Sequence, residues 1–194
     1  MKIFGIVVGV LFIIFLVIQF FVYKSRSTIE SYPYIVVKDY TDFEIRNYEA
    51  SLFTSVKLET NDYKSASSKG FSILGGYIFG NNDKDERISM TSPVAMSLKD
   101  SITMMFMVPK NLTVKDLPKP NQSEIKFIEE PAKTVAAISF GGWANTDKIE
   151  KYKKKLISAL ENENILFKDQ FYLLGYNPPY DLIGRRNEII VELK

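Results

Sequence analysis

One order of local periodicities runs twice along this chain, and that repetition limits the folds open to it more than any single motif does. Tyr34 to Lys38 and Phe43 to Tyr48 read as short strands around an Asp-Tyr-Thr-Asp turn. Ser51 to Glu59 alternates, with Leu52, Thr54, Val56 and Leu58 on one face, as a half-buried strand does. Asn61 or Asp62 can cap a helix running to Phe79, which the turn residues Gly80-Asn81-Asn82-Asp83 then end. Ile102, Met104, Phe106 and Val108 alternate again. After a Pro-rich loop from Pro109 to Ser123, Glu124 to Glu130 and Thr134 to Phe140 read as a second hairpin. Asn145 or Thr146 caps a second helix, with Ile149, Tyr152, Leu156, Ile157 and Leu160 at amphipathic spacing. Phe171 to Tyr176 and Asn187 to Leu193 supply two last strands. Phe43 to Phe79 and Ile125 to Leu160 are thus two copies of one unit in architecture, with negligible sequence identity between them. Two such units imply an α+β fold, an antiparallel sheet with two helices segregated on it. There is no Gly-rich strand-to-helix turn and no βαβ alternation, so a dinucleotide fold is not indicated.

Ahead of these units, Ile3 to Val22 is an apolar run interrupted only by Gln19 and two glycines. About 20 residues span about 30 Å as a helix, the thickness of a bilayer's hydrocarbon core. Lys2 flanks one end and Lys24 and Arg26 the other, with Phe21 and Tyr23 at interface depth. Phe21-Val22-Tyr23-Lys24 offers no small-x-small cleavage site, so a retained anchor is expected rather than a signal peptide. The expected organisation is an anchor over 1–23, a polar linker over 24–31 and one domain over 32–194. The protein would then be single-pass in a membrane. Basic residues on both sides of the run leave the side that holds the domain open.

The charge balance, 25 basic against 23 acidic residues for a net +2, argues against nucleic acid as the main partner. His and Cys are both absent. That excludes disulfides, thiolate zinc sites, thiol nucleophiles and imidazole general bases. Any metal ligand would be oxygen, thioether or amine. Asn81 to Glu86 carries oxygen ligands at alternate positions. A calcium loop would need Gly where Glu86 stands and Glu where Ser92 stands, so this reads as a solvated turn. Glu129 and Glu130 are adjacent on a strand, point to opposite faces and cannot share a proton. Lys151, Lys153, Lys154 and Lys155 read as a solvated helix face, or as a contact to anionic lipid beside an anchor.

The first helix is more informative. Phe71, Ile73, Leu74, Tyr77 and Ile78 cluster on one side and should face the core. Ser65, Ser68, Ser72, Gly75, Gly76 and Phe79 collect on the other. Small residues aligned in this way let something flat approach the backbone. An ordinary exposed face, or packing against another part of the chain, would satisfy the same periodicity.

Five stretches carry a family resemblance: Phe43-Glu44-Ile45-Arg46-Asn47-Tyr48; Gly76-Tyr77-Ile78-Phe79-Gly80-Asn81-Asn82; Ile88-Ser89-Met90-Thr91-Ser92-Pro93-Val94; Phe140-Gly141-Gly142-Trp143; and Tyr176-Asn177-Pro178-Pro179 followed by Arg185-Arg186-Asn187-Glu188. In this order they resemble the SOUL haem-binding family across nearly everything from Tyr34 to Lys194. The resemblance implies a distorted antiparallel β-barrel of two pseudo-repeats with two helices, akin to the GyrI-like effector-binding fold, here preceded by a transmembrane helix. It also implies a haem or related tetrapyrrole ligand. In animal members the proposed site lies on the first helix and a late loop. Carried over, cofactor contacts fall on Ser68, Ser72, Gly75, Gly76 and Phe79 and on the loop from Tyr180 to Arg186, with Arg185 or Arg186 facing the propionates.

Some members carry a histidine, proposed as the haem ligand, where this chain has Asn47. Without His or Cys, axial ligation could come only from Tyr, Met or Lys, or be absent. The function implied is membrane-anchored haem buffering or transfer, with weak and exchangeable binding and no catalytic residues. A small-molecule hydrolase on the same fold, working through Glu and Tyr, is the alternative from another class. An interaction protein that has lost its ligand is a third. The barrel mouth near Met90 and Met96 is the next candidate site.

Overall fold

In the structure, a computed structural model that describes residues 2–26, 29–99, 101–178, 181 and 184–194 (side chains of 2, 3, 5 and 20–26 excepted), capping residues set the helix starts. Following α1 (Lys2–Arg26), α2 (Tyr63–Ile78) begins where the Asp62 carboxylate accepts the Ser65 N–H at 2.8 Å. Likewise α3 (Thr146–Asn162) begins where the Asn145 side chain accepts the Lys148 N–H at 2.9 Å. Each such cap stabilises by about 1 kcal/mol.

The strands are β1 (Glu30–Ser31), β2 (Tyr34–Asp39), β3 (Glu44–Tyr48), β4 (Ser51–Leu58), β5 (Thr91–Ser92), β6 (Val94–Ser97), β7 (Ile102–Met107), β8 (Lys126–Glu130), β9 (Lys133–Gly141), β10 (Phe167–Gly175) and β11 (Arg186–Leu193). Nine of them form one sheet in the order β2-β3-β9-β11-β10-β6-β7-β4-β8, and β1 pairs with β5 in parallel. Every pairing in the large sheet is antiparallel. The sheet ends in edges at β2 and β8, so it curls into a half-barrel and does not close.

The α+β class and the twofold architecture match the sequence reading, but the second hairpin does not form. β8 pairs with β4, at Phe53 opposite Ile128, and β9 pairs with β3, at Ile45 opposite Ala136. The linkers explain this. A two-residue hairpin favours positive φ at its centre. Glu49-Ala50 and Pro131-Ala132 are poor choices for that, and neither pair includes a positive-φ residue. Each linker therefore carries the chain onward to the other half of the sheet. The first strand of each unit is built into its partner unit, and β10 meets β6 at the centre.

The N-terminal segment is helical, and the membrane reading of it is corrected. Among the described residues no helix is long and apolar enough to cross a membrane. This overturns the transmembrane part of the expected fold class, the single-pass localisation and the membrane as partner. The side chains of the flanking Lys2, Lys24 and Arg26 lie outside the described residues.

Strand alternation divides the core. Toward the helices lie Val56, Met104, Leu173, Ile189 and Val191, packed with Leu74 of α2 and Leu156 and Leu160 of α3. On the opposite face lie Tyr48, Phe53, Met105, Leu174 and Ile190. The turn after α2 is less solvated than its composition suggests. Asn82 is buried, accepts the Lys84 and Glu86 N–H groups and donates to the Tyr77 and Glu86 carbonyls.

Candidate functional site

A cleft of about 460 Å3 opens between α2 and the centre of the sheet, within the roughly 300–1,000 Å3 usual for small-molecule sites. Tyr63, Ser67 and Phe71 of α2 wall it, one above another because they stand four residues apart. Met96 of β6, Met104 of β7 and Leu173 of β10 form its floor. Met90 and Thr91 lie along one rim, and Trp143, Tyr176 and Arg185 along another.

Both rims are held by hydrogen bonds. The Ile88 N–H donates to the Ile78 carbonyl at 2.9 Å, and the Thr91 hydroxyl to the Met107 carbonyl at 2.6 Å, tying the chain on either side of Met90. Across the cleft, the Asn187 amide donates to the Gly142 carbonyl at 2.8 Å and fixes the approach to Trp143. Asn177 accepts the Arg186 N–H and donates to Asp181, both at 2.7 Å. The Arg185 guanidinium lies 3.8 Å over the Trp143 ring and donates to the carbonyls of Asn177, Pro178 and Asp181.

Behind Tyr176 lies a buried charge network. Glu188 neighbours Asn187 on β11 and so points to the face away from the cleft. Its carboxylate takes a two-pronged contact from Arg46 at 2.8 and 3.1 Å. It also accepts from Ser139 at 2.9 Å, Arg186 at 2.6 Å and the Tyr176 hydroxyl at 2.7 Å. Burial opposes the charge on Glu188, but the Arg46 and Arg186 cations hold its carboxyl below the ordinary value. Burial and the Glu188 charge push the Tyr176 phenol far up, and burial raises Tyr63. A carboxylate held ionised by two arginines and turned from the cleft is a poor general base there, which removes the Glu-plus-Tyr hydrolase chemistry from this pair.

Of the residues expected at the ligand face, Ser68 and Arg185 line the cleft. Ser72 and Phe79 are exposed outside it. Gly75 is buried, and a Cβ there would meet the Phe71 ring at 3.3 Å, while Gly76 lies against Asn81. Arg186 lies on the far side, donating to Glu188 and to the Tyr34 hydroxyl at 3.0 Å. Tyr180 lies outside the described residues. The small face thus meets the cleft only at Ser68, one column round the helix from Tyr63, Ser67 and Phe71.

Met90 and Met96, the next candidate site in the sequence, both line the cleft, whereas the Tyr63–Ser67–Phe71 column and the convergence of Trp143 and Tyr176 on Met90 escaped the sequence reading. For the last three a signal was present, because three of the five stretches that carry the resemblance contribute Met90, Trp143 and Tyr176, while none contributes Tyr63, Ser67 or Phe71. The lining suits a flat apolar ligand. It offers aromatic faces, thioether sulfurs and a guanidinium, and no histidine or cysteine exists in the chain. Among the described residues no group of three acidic side chains is placed to hold a metal ion.

The model of the SOUL heme-binding protein family matches residues 29–192. Heme-binding protein 2 of Mus musculus is 33% identical over 157 residues, covering 76% of this chain and 76% of its own. Heme-binding protein 1 of Xenopus laevis is 29% identical over 160 residues, covering 78% of this chain and 84% of its own. Among solved structures, the EcmrR C-terminal domain superposes with a TM-score of 0.62 at 14% identity, covering 78% of this chain and 96% of that one. A hydrolase from Listeria innocua gives 0.54 at 10% identity, covering 81% and 94%. At these identities the two structural likenesses show the fold alone.

Proposed function

This chain belongs to the SOUL haem-binding protein family, and from that premise we propose that the cleft between α2 and the β10–β11 loop binds haem or a related tetrapyrrole, in a domain spanning 32–194 that buffers or hands over its ligand. The observation that carries this reading is the apolar cleft itself, walled by Tyr63, Phe71 and Trp143 and floored by Met96, Met104 and Leu173. Burial of a macrocycle's apolar surface contributes about 25 cal/mol per Å2. An open cleft without imidazole or thiolate lets that burial, rather than a strong iron–ligand bond, set the affinity. Ready exchange follows, which is what a buffer or carrier needs. The haem-binding relatives from mouse and frog support the same ligand class.

Arg185 serves this site by holding the rim. Its charge is already spent on loop carbonyls and on Trp143. Titration of the full-length, untagged chain with haemin, followed at the Soret band, tests the proposal. Saturable binding at one equivalent is expected. A linear response matching haemin in buffer would refute it.

A further inference from the structure

We infer that the Met90 thioether is the protein's ligand to the iron of a bound haem, an inference that rests on the haem-binding reading of the cleft. Among the described residues lining the cleft, the groups best suited to ligate iron are the phenols of Tyr63 and Tyr176 and the thioethers of Met90, Met96 and Met104. Tyr176 is committed: its hydroxyl donates to Glu188 at 2.7 Å, and a phenolate there would face a buried carboxylate. Tyr63 would have to ionise where burial already opposes its charge. A thioether needs no deprotonation.

The three methionines are not equivalent. Met104 is 1% exposed, and its sulfur is pressed against α2, where a Cβ built on Gly70 would lie 2.9 Å from it. Met96 is 3% exposed in the floor, paired with Met104 and Leu173 across the sheet. Met90 is half-buried on the rim, in a segment whose backbone is tied through Ile88 and Thr91. Its anchor is fixed while its unbranched side chain is free to adjust. A soft thioether favours ferrous over ferric iron.

The test uses the full-length, untagged chain with haem in both oxidation states and with iron-free protoporphyrin. The parent should show a sulfur-ligation signature in near-infrared magnetic circular dichroism and hold ferrous haem more tightly than ferric. Met90→Leu should lose that signature and weaken ferrous haem by about tenfold or more, while protoporphyrin binds both proteins alike. Met96→Leu and Met104→Leu should keep the signature. Met90→His should gain an imidazole–iron spectrum, which no other residue of this chain can supply, and so reports on position 90 even if the leucine variant folds poorly. An unchanged spectrum in Met90→Leu, or no imidazole signature in a haem-bound Met90→His, overturns the inference. A parent that binds neither haem nor protoporphyrin overturns the cleft reading beneath it.

Discussion

Among the described ion pairs, Arg46 and Glu188 are the one with both side chains almost wholly shielded from water, which makes the pair costly to break. Removing one partner of such a pair leaves the other charge buried and uncompensated, at about 3–5 kcal/mol. Glu188→Gln should therefore lower the unfolding free energy by about that amount at pH 7, read from urea titration. The pH dependence has a definite sign. The folded state depresses the Glu188 pKa below its ordinary 4.5. The stability it contributes is present above that ordinary value and is lost as pH falls through the lower, folded one. The gap between parent and variant should shrink in acid and stay constant from pH 6 to 8; a gap that widens in acid would contradict this account.

Both residues stand in stretches that carried the family resemblance, yet nothing local says that they meet. They lie 142 positions apart and are joined only by the β3–β9–β11 pairings. Arg185 shows the same limit. Its charge was legible, but its commitment to Trp143 and three carbonyls was not.

Helix α2 was legible in extent, cap and core side, and less so in which column meets the cleft. Neighbouring columns on a helix differ by one residue's turn of 100°, and periodicity alone cannot tell which one a partner element will leave uncovered. Small residues illustrate this. Gly75 and Gly76 read as the place of close approach, but it is Gly70 that sits tightest on the sheet, where an added Cβ would lie 3.0 Å from Leu58 and 3.1 Å from the Met104 Cβ. Gly70→Ala gains about 1 kcal/mol of helix propensity and loses about 1–3 kcal/mol to overpacking. A net loss is expected, read as a lower melting temperature. A rise would show that the α2 contact with β4 and β7 is looser than described.

Two interlocked units explain why the fold was legible and its pairing was not. Strand and helix periods are local, so the order of elements could be read directly. Pairing depends on whether a linker turns back or continues, and Pro131-Ala132 and Glu49-Ala50 continue. Because β10 meets β6 at the join of the units, the cleft takes residues from both: Tyr63, Phe71 and Met96 from one, Trp143, Leu173 and Tyr176 from the other. A site shared between repeats cannot be recognised within either. The N-terminal run marks the converse limit, since its apolar composition implied a span that the described helix does not bear out. In the proposed haem site the Tyr63–Ser67–Phe71 column, and not the Ser72–Phe79 side, faces the ligand. The direct measurement is a side-by-side Soret titration of the parent, Ser67→Trp and Ser72→Trp with haemin, each checked for an unchanged melt. Ser67→Trp should fill the cleft and weaken binding by about tenfold or more, the cost of roughly 1.4 kcal/mol, while Ser72→Trp binds as the parent does. Loss of binding in Ser72→Trp with Ser67→Trp unaffected would contradict the account.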